Sequence, residues 1–155
     1  MRVHRNPRAG ETLVVHPVEG GVLRAELLIE AEHHAPPAHA HPRSAERFTV
    51  VSGAVRLRVG RAWRVAEAGE SVLAPAGVVH AYRGVPGVPA RVVVELDPAG
   101  RMAEFFADVY GIDGDHRDPR TGAPRLRAAA GVLRRHRDDV TVPGLPGPLL
   151  ALLGR

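Results

Sequence analysis

Short alternating apolar segments separated by glycine turns occupy the middle of the chain and restrict the folds it can adopt. Residues 23–30 place an apolar side chain at every second position, as a strand with one buried face does. Further short apolar runs follow between residues 46 and 96, with glycine turns at 52–53, 60–61 and 69–70. Turn signals at this spacing are typical of an antiparallel sandwich or barrel. The sequence therefore predicts a mainly β protein built as a small antiparallel β-barrel.

The apolar pattern becomes helical after residue 98. One helical stripe is formed by Met102, Phe105, Phe106 and Val109. A second helix is predicted over 125–137, with Leu126, Ala130 and Leu133 on one side, and a short apolar helix over Leu149–Leu153 that ends at Gly154.

These patterns divide the chain at about residue 100. We expect a β-barrel domain over residues 1–100, with N-terminal edge strands such as residues 13–15, and a helical C-terminal extension over residues 101–155. The extension is too short to form a core of its own. Its apolar faces are therefore predicted to pack on the barrel or on a second subunit.

Composition removes several classes of function. The chain has no cysteine, which excludes disulfides, thiol nucleophiles and cysteine-bound zinc. All 21 basic residues are arginine and the net charge is only +4, while aromatic residues that could stack on bases are few. No stretch approaches the about 18 apolar residues of a membrane-spanning helix, and the first residues lack the apolar segment of a secretory signal. We therefore predict no nucleic-acid partner, no membrane partner and a cytoplasmic location.

Four side chains have the types and spacing of metal ligands: His39, His41, Glu46 and His80. Alternate residues of a strand share a face, so the first two imidazoles can converge on one ion. Glu46 follows at an odd offset, and residues 42–45 can supply the bend that returns it to that face. His80 lies in an apolar strand, where an unpaired imidazole is costly.

Each histidine taken singly is more commonly a loop or structural residue. Chance is a poor explanation for the whole set, because Gly53, Gly69, Pro75 and Gly77 stand at fixed offsets from it. The sequence resembles the cupin superfamily: His39, His41, Glu46 and Gly53 match the motif G-x5-H-x-H-x4-E-x6-G, and Gly69, Pro75, Gly77 and His80 match G-x5-P-x-G-x2-H-x3-N. The first motif position is His33 here, and the last is Gly84.

The resemblance covers residues 20–97 and implies a jelly-roll barrel that holds one divalent transition metal ion on His39, His41, Glu46 and His80. It also implies a homodimer and C-terminal helices packed outside the barrel. Three imidazoles and one carboxylate leave two positions open on an octahedral ion, which suits Fe, Mn, Ni, Co or Zn.

Several other residues are candidates for supporting roles. Tyr82 is in phase with His80 and can be a hydrogen-bond donor or acid in the cavity, or a packing residue at the barrel rim. Phe48 and Trp63 can be cavity walls or core, and Glu95 is expected to face solvent. His33 and His34 are expected as loop histidines, with proton transfer as the alternative.

Three functions remain open at this point. The first is a metal-dependent enzyme acting on a small oxygenated molecule, with a dioxygenase-like reaction ahead of an isomerase, cyclase or lyase reaction. The second is a non-catalytic protein that binds a small ligand through the metal, and the third is a structural protein with an empty barrel. The glycines lie in hairpin turns, so no phosphate-binding loop for a nucleotide cofactor is predicted.

Overall fold

The computed structural model describes residues 1–145, which form two antiparallel sheets followed by two helices. The strands are β1 (Arg2–Asn6), β2 (Glu11–Val15), β3 (Leu23–Ile29), β4 (Ala45–Ser52), β5 (Ala54–Val59), β6 (Ala62–Glu67), β7 (Ser71–Ala74), β8 (His80–Gly84) and β9 (Ala90–Asp97). The helices are α1 (Met102–Tyr110) and α2 (Leu126–Arg135), with a short 3-10 turn at Gly114–His116 between them. The helix predicted over Leu149–Leu153 lies outside the described residues.

The larger sheet has the strand order β1-β2-β3-β9-β4-β7, and the smaller sheet has the order β6-β5-β8. The two sheets enclose one apolar core, to which alternate residues of the strands contribute. On β3 the pattern is strict, because Leu23, Ala25, Leu27 and Ile29 are all buried. The mainly β fold with antiparallel sheets and C-terminal helices is confirmed.

The N-terminal strands differ from the prediction in one respect. Residues 13–15 were expected in an edge strand, but β2 lies between β1 and β3, and Leu13 and Val15 are buried. The edge is β1, whose sequence RVHRN contains a single apolar residue and so gives no clear strand pattern. The polar strand β1 therefore forms the edge of the sheet, and β2, which was expected at the edge, lies inside it.

The C-terminal extension packs against the β core. Met102 of α1 is only 1% exposed, and Ala130 and Leu133 of α2 are buried, whereas Leu126 at the start of α2 is exposed. After α2 the chain returns to the barrel, where Thr141 pairs with Ala40 through two backbone hydrogen bonds of 2.9 Å. Within residues 1–145, no helix is both long enough and apolar enough to cross a membrane.

Candidate metal centre

The four potential ligands come from three separate parts of the barrel and meet at its inner surface. His39 forms an antiparallel bridge with His80, the first residue of β8, and His41 lies two residues further along. A bend at residues 42–43 precedes β4 and turns Glu46 inward beside them. One ligand atom of each residue lies within 4.8 Å of those of the others. His39 is half-buried and the other three are buried.

Each of the three imidazoles directs Nδ1 at a backbone carbonyl oxygen. These contacts are His39 to Pro37 at 3.0 Å, His41 to Asp139 at 2.9 Å and His80 to Val78 at 2.8 Å. A carbonyl oxygen only accepts, so in each neutral ring Nδ1 carries the proton and Nε2 presents its lone pair. The backbone thus fixes the ring orientation and tautomer that metal ligation through Nε2 needs.

The contacts within the cluster fit a cation held between the imidazoles and the carboxylate. Nε2 of His80 lies 2.6 Å from Oε2 of Glu46, and Nε2 of His41 lies 3.3 Å from the same oxygen. With both Nδ1 atoms protonated, these nitrogens and the carboxylate all present lone pairs to one point. Nε2 of His41 is moreover buried without a hydrogen-bond partner. One metal ion at this point would satisfy the whole set.

Burial and charge set the proton affinities of these groups. Burial raises the pKa of Glu46, but its close contacts with His41 and His80 outweigh burial and bring the pKa well below the usual range of a carboxyl. Burial lowers the pKa of His39 to about 4, and attraction to Glu46 offsets only part of that effect. Burial also lowers the pKa of His41, but its contact with Glu46 reverses the net shift upward. The ionised carboxylate and the neutral His39 suit metal ligation.

The environment of the centre is closed on its inner side. Phe48 is 2% exposed, and its ring centroid lies 6.0 Å from that of His80. Phe48 was considered as a cavity wall or a core residue. It is both, because it belongs to the core and borders the candidate ligands. Access from solvent is on the side of His39, the ligand with the largest exposure.

Tyr82 lies in phase with His80, but its hydroxyl group points to a different carboxylate. It donates a hydrogen bond of 2.8 Å to Oε2 of Glu11, which also accepts one of 3.1 Å from Nε2 of His33. The hydroxyl group of Tyr110 donates to the other oxygen, Oε1. Burial, together with the negative charge of Glu11, raises the pKa of Tyr82 well above its ordinary value. We call Glu11, His33, Tyr82 and Tyr110 the Glu11 cluster.

The two departures from the cupin motifs contact each other in this cluster. The backbone N–H of Gly84 donates a hydrogen bond of 3.0 Å to Nδ1 of His33. A Cβ atom on residue 84 would lie only 2.9 Å from Cβ of His33 and 3.0 Å from Cγ2 of Ile29. With His33 in this place, only a glycine fits at position 84. His33 lies in the loop between β3 and β4, as expected, but its side chain is only 1% exposed.

Sequence reasoning missed Glu11 and Tyr110. Glu11 is in phase with Leu13 and Val15, the buried residues of β2, and this alternation is the signal that could have identified an inward carboxylate. Tyr110 is the last residue of α1, where the helical pattern gives no indication of its partner.

The remaining candidates face outward. Glu95 pairs with Arg24 at 2.7 Å on the solvent side, as expected. Trp63 was considered for the cavity wall or core, but it is 36% exposed on the outer face of the smaller sheet.

Comparisons with known proteins identify the fold. The family model for the cupin domain matches residues 26–95. A RmlC-like cupin from Shewanella frigidimarina superposes with a TM-score of 0.55 at 19% identity, covering 63% of this chain and 84% of that one. The protein TT1209 from Thermus thermophilus superposes with a TM-score of 0.52 at 22% identity, covering 59% and 87%. A sequence search of curated proteins gives no match. The resemblance is confirmed at the level of the fold: residues 26–95 match the cupin domain model, and the superposed structures share that fold.

Proposed function

We propose that this protein is a metal-dependent enzyme that acts on a small oxygenated organic molecule in a dioxygenase-like reaction. The observation that carries the proposal is the convergence of three Nε2 lone pairs and one ionised carboxylate on a single buried point. His39, His41, Glu46 and His80 would hold one divalent ion, for which Fe, Mn, Ni, Co and Zn are the candidates by ligand type. When bound, such an ion supplies Lewis-acid chemistry or a position for O2 beside the substrate.

The residues around the ligands have defined tasks in this proposal. The carbonyl groups of Pro37, Asp139 and Val78 keep the imidazoles aligned, and Phe48 excludes water from the inner side. Tyr82 stays protonated because of its raised pKa, and its hydroxyl group donates a hydrogen bond to Glu11. Its role as an acid in the reaction stays a prediction.

A metal-dependent protein that binds a small ligand without turnover is the second candidate. It is favoured by the dense packing inside the barrel, where Phe48, Leu57 and Val92 are each at most 2% exposed. Such packing leaves the side of His39 as the approach and suits a small chelating ligand. An isomerase, cyclase or lyase reaction requires the same ligands with the metal as Lewis acid only.

Oxygen uptake separates these candidates. Protein loaded with Fe(II) is mixed with enol or catechol-like compounds, and O2 consumption is followed beside the Glu46→Gln variant, which keeps the side-chain shape but removes the charge. Uptake in the unmodified protein that disappears in the variant supports the oxygenase. Tight binding of a compound that is recovered unchanged, without uptake, supports the ligand-binding protein, and conversion without uptake supports the Lewis-acid reactions.

We also propose that the chain forms a homodimer, in line with the family resemblance. Leu28, Val51 and Leu73 are apolar and 39–45% exposed on the strands, so they are available for contact with a second copy. Sedimentation of the full chain tests this, and a mass of 16.6 kDa at micromolar concentration would contradict it. The cytoplasmic location stays a prediction.

A further inference from the structure

A cleft of about 480 Å³ lies on the outer face of the smaller sheet, and none of the four metal ligands lines it. Residues 35–38 form one wall of the cleft. Its floor consists of outward-facing side chains of β5, β6 and β8: Arg56, Arg58, Trp63 and Arg83. The cleft thus lies outside the barrel, and His33 of the Glu11 cluster also lines it.

Three guanidinium groups surround the single indole ring in this cleft. The Cζ atoms of Arg56 and Arg58 each lie 5.5 Å from the ring centroid of Trp63, and that of Arg83 lies 5.1 Å from it. Strand register produces this arrangement, because Arg56 is directly opposite Arg83 and Arg58 is directly opposite Trp63. Like charges directly opposite one another on neighbouring strands destabilise a sheet. The stacking on Trp63 offsets part of this repulsion.

No protein anion neutralises the three arginines within residues 1–145. Arg24 and Arg91 on the larger sheet, and Arg64 on β6, each pair with a glutamate at 2.5–3.4 Å. No carboxylate oxygen of the described residues lies within 4.0 Å of a guanidinium nitrogen of Arg56, Arg58 or Arg83. Nε of Arg58 is in addition buried without a hydrogen-bond partner. The unpaired guanidinium groups thus line an open cleft.

We propose that this cleft binds a small polyanion that carries two or more carboxylate or phosphate groups. Guanidinium groups bind both kinds of group through paired hydrogen bonds, and three of them here share one cavity. The cavity volume is in the range of small-molecule sites, which is about 300–1,000 Å³. Trp63 is 36% exposed beside them, so its indole ring can contact the body of the ligand. None of the four candidate metal ligands lines the site, so it can be tested whatever reaction the barrel performs.

Trp63 is the only tryptophan of the chain, so its fluorescence reports directly on this cleft. We would titrate the full chain with inorganic pyrophosphate and, separately, with citrate at constant ionic strength, following emission and, in parallel, heat. The expected result is saturable 1:1 binding of at least one of the two probes. Arg83→Gln should raise the Kd about tenfold, because one pair of charge-assisted hydrogen bonds is lost.

Arg47→Gln is the matched control, since Arg47 is an exposed arginine of β4 that does not line the cleft. It removes the same charge and should change the Kd less than twofold. Arg56→Gln is a second cleft variant in case Arg83→Gln unfolds, and thermal unfolding checks all three. Pyrophosphate binding alone indicates a phosphate ligand, and citrate binding alone indicates a carboxylate ligand.

Three results would overturn the proposal. One is the absence of saturable binding of both probes, and another is an equal loss of affinity in Arg47→Gln and Arg83→Gln, which would indicate a non-specific charge effect. The third is binding of an oligoglutamate peptide while neither small probe binds. That outcome would make the cleft a docking surface for an acidic protein segment.

Discussion

Glu46 and Glu11 are two carboxylates inside the same barrel, with 5% and 7% exposure, but their neighbours differ in kind. Glu11 accepts hydrogen bonds from an imidazole N–H and from two tyrosine hydroxyl groups. Glu46 instead meets the Nε2 atoms of His41 and His80, whose Nδ1 protons are already held by carbonyl oxygens. Burial is similar in both places. At Glu11, three N–H and O–H groups donate to the carboxylate and complete a hydrogen-bond network. At Glu46, the facing Nε2 atoms of the neutral rings carry no proton, so the site is suited to a cation.

The histidines show the same contrast. His33 accepts from the backbone N–H of Gly84 at Nδ1 and donates to Glu11 at Nε2, so a neutral ring satisfies both contacts. His80 has an acceptor at each nitrogen, because Nδ1 faces Val78 and Nε2 faces Glu46. A neutral imidazole has one proton and satisfies only one of them. A metal ion on Nε2 would resolve the conflict, as would a second proton on the ring.

The largest effect that this comparison predicts is on metal content. Glu46→Gln should reduce the bound metal from about one ion per chain to less than a tenth, because it removes the only anionic ligand. Glu11→Gln makes the same change in the other buried carboxylate and should leave the metal content unchanged. Elemental analysis of both purified variants checks this. Equal metal loss in the two variants would remove the distinction between the clusters.

The next effect is on stability. Glu11→Ala leaves the hydroxyl groups of Tyr82 and Tyr110 and the N–H of His33 without their acceptor. Removal of one side of a buried charged network costs about 3–5 kcal/mol, so we expect a loss of that size in the free energy of unfolding. Denaturant titration of the metal-loaded variant measures it. A loss below about 1 kcal/mol would show that the network contributes little.

A smaller effect concerns acid pH. Burial raises the pKa of Glu11, but hydrogen bonds from His33, Tyr110 and Tyr82 outweigh it, so its folded-state pKa lies below the ordinary 4.5. A carboxyl with a lowered pKa stabilises the fold above its unfolded pKa, and this stabilisation disappears as the pH falls through the folded pKa. Unfolding free energies below pH 4.5 should therefore decline less in Glu11→Gln than in the unmodified chain. Parallel declines would contradict this assignment.

The smallest effect is that of Tyr82→Phe. The substitution removes one of the three donors to Glu11 and keeps the ring, so we expect a loss of about 1 kcal/mol in the free energy of unfolding. Metal content should not change, because the hydroxyl group contacts Glu11 and not the metal ligands. Loss of metal in this variant would place Tyr82 in the metal centre after all.

The sequence predicted most of the barrel because its signals are local. Alternation identified strands such as β3 and β9, and helical spacing identified α1. The sequence also grouped the four candidate ligands, which the structure brings within 4.8 Å of one another, because their motif spacing is read along the chain. The Glu11 cluster has no such local signal, since Glu11 meets Tyr82 and Tyr110 at separations of 71 and 99 residues.

The link between the C-terminal extension and the metal centre was likewise beyond sequence reasoning. Nδ1 of His41 donates to the carbonyl oxygen of Asp139, 98 residues away. Because every residue has a backbone carbonyl group, the residue type at position 139 does not indicate this contact. The tail was predicted to pack on the barrel or on a second subunit. Its packing on the barrel includes a contact that orients one of the ligands.

Anomalous diffraction from crystals of protein purified without chelators tests the metal centre most directly. Data collected at the absorption edge of the bound metal should show one strong peak, about 2.1 Å from Nε2 of His39, His41 and His80 and from a carboxylate oxygen of Glu46. No peak in the Glu11 cluster is expected. A well-ordered crystal with no peak among the three imidazoles, or with the peak at Glu11, would contradict the account.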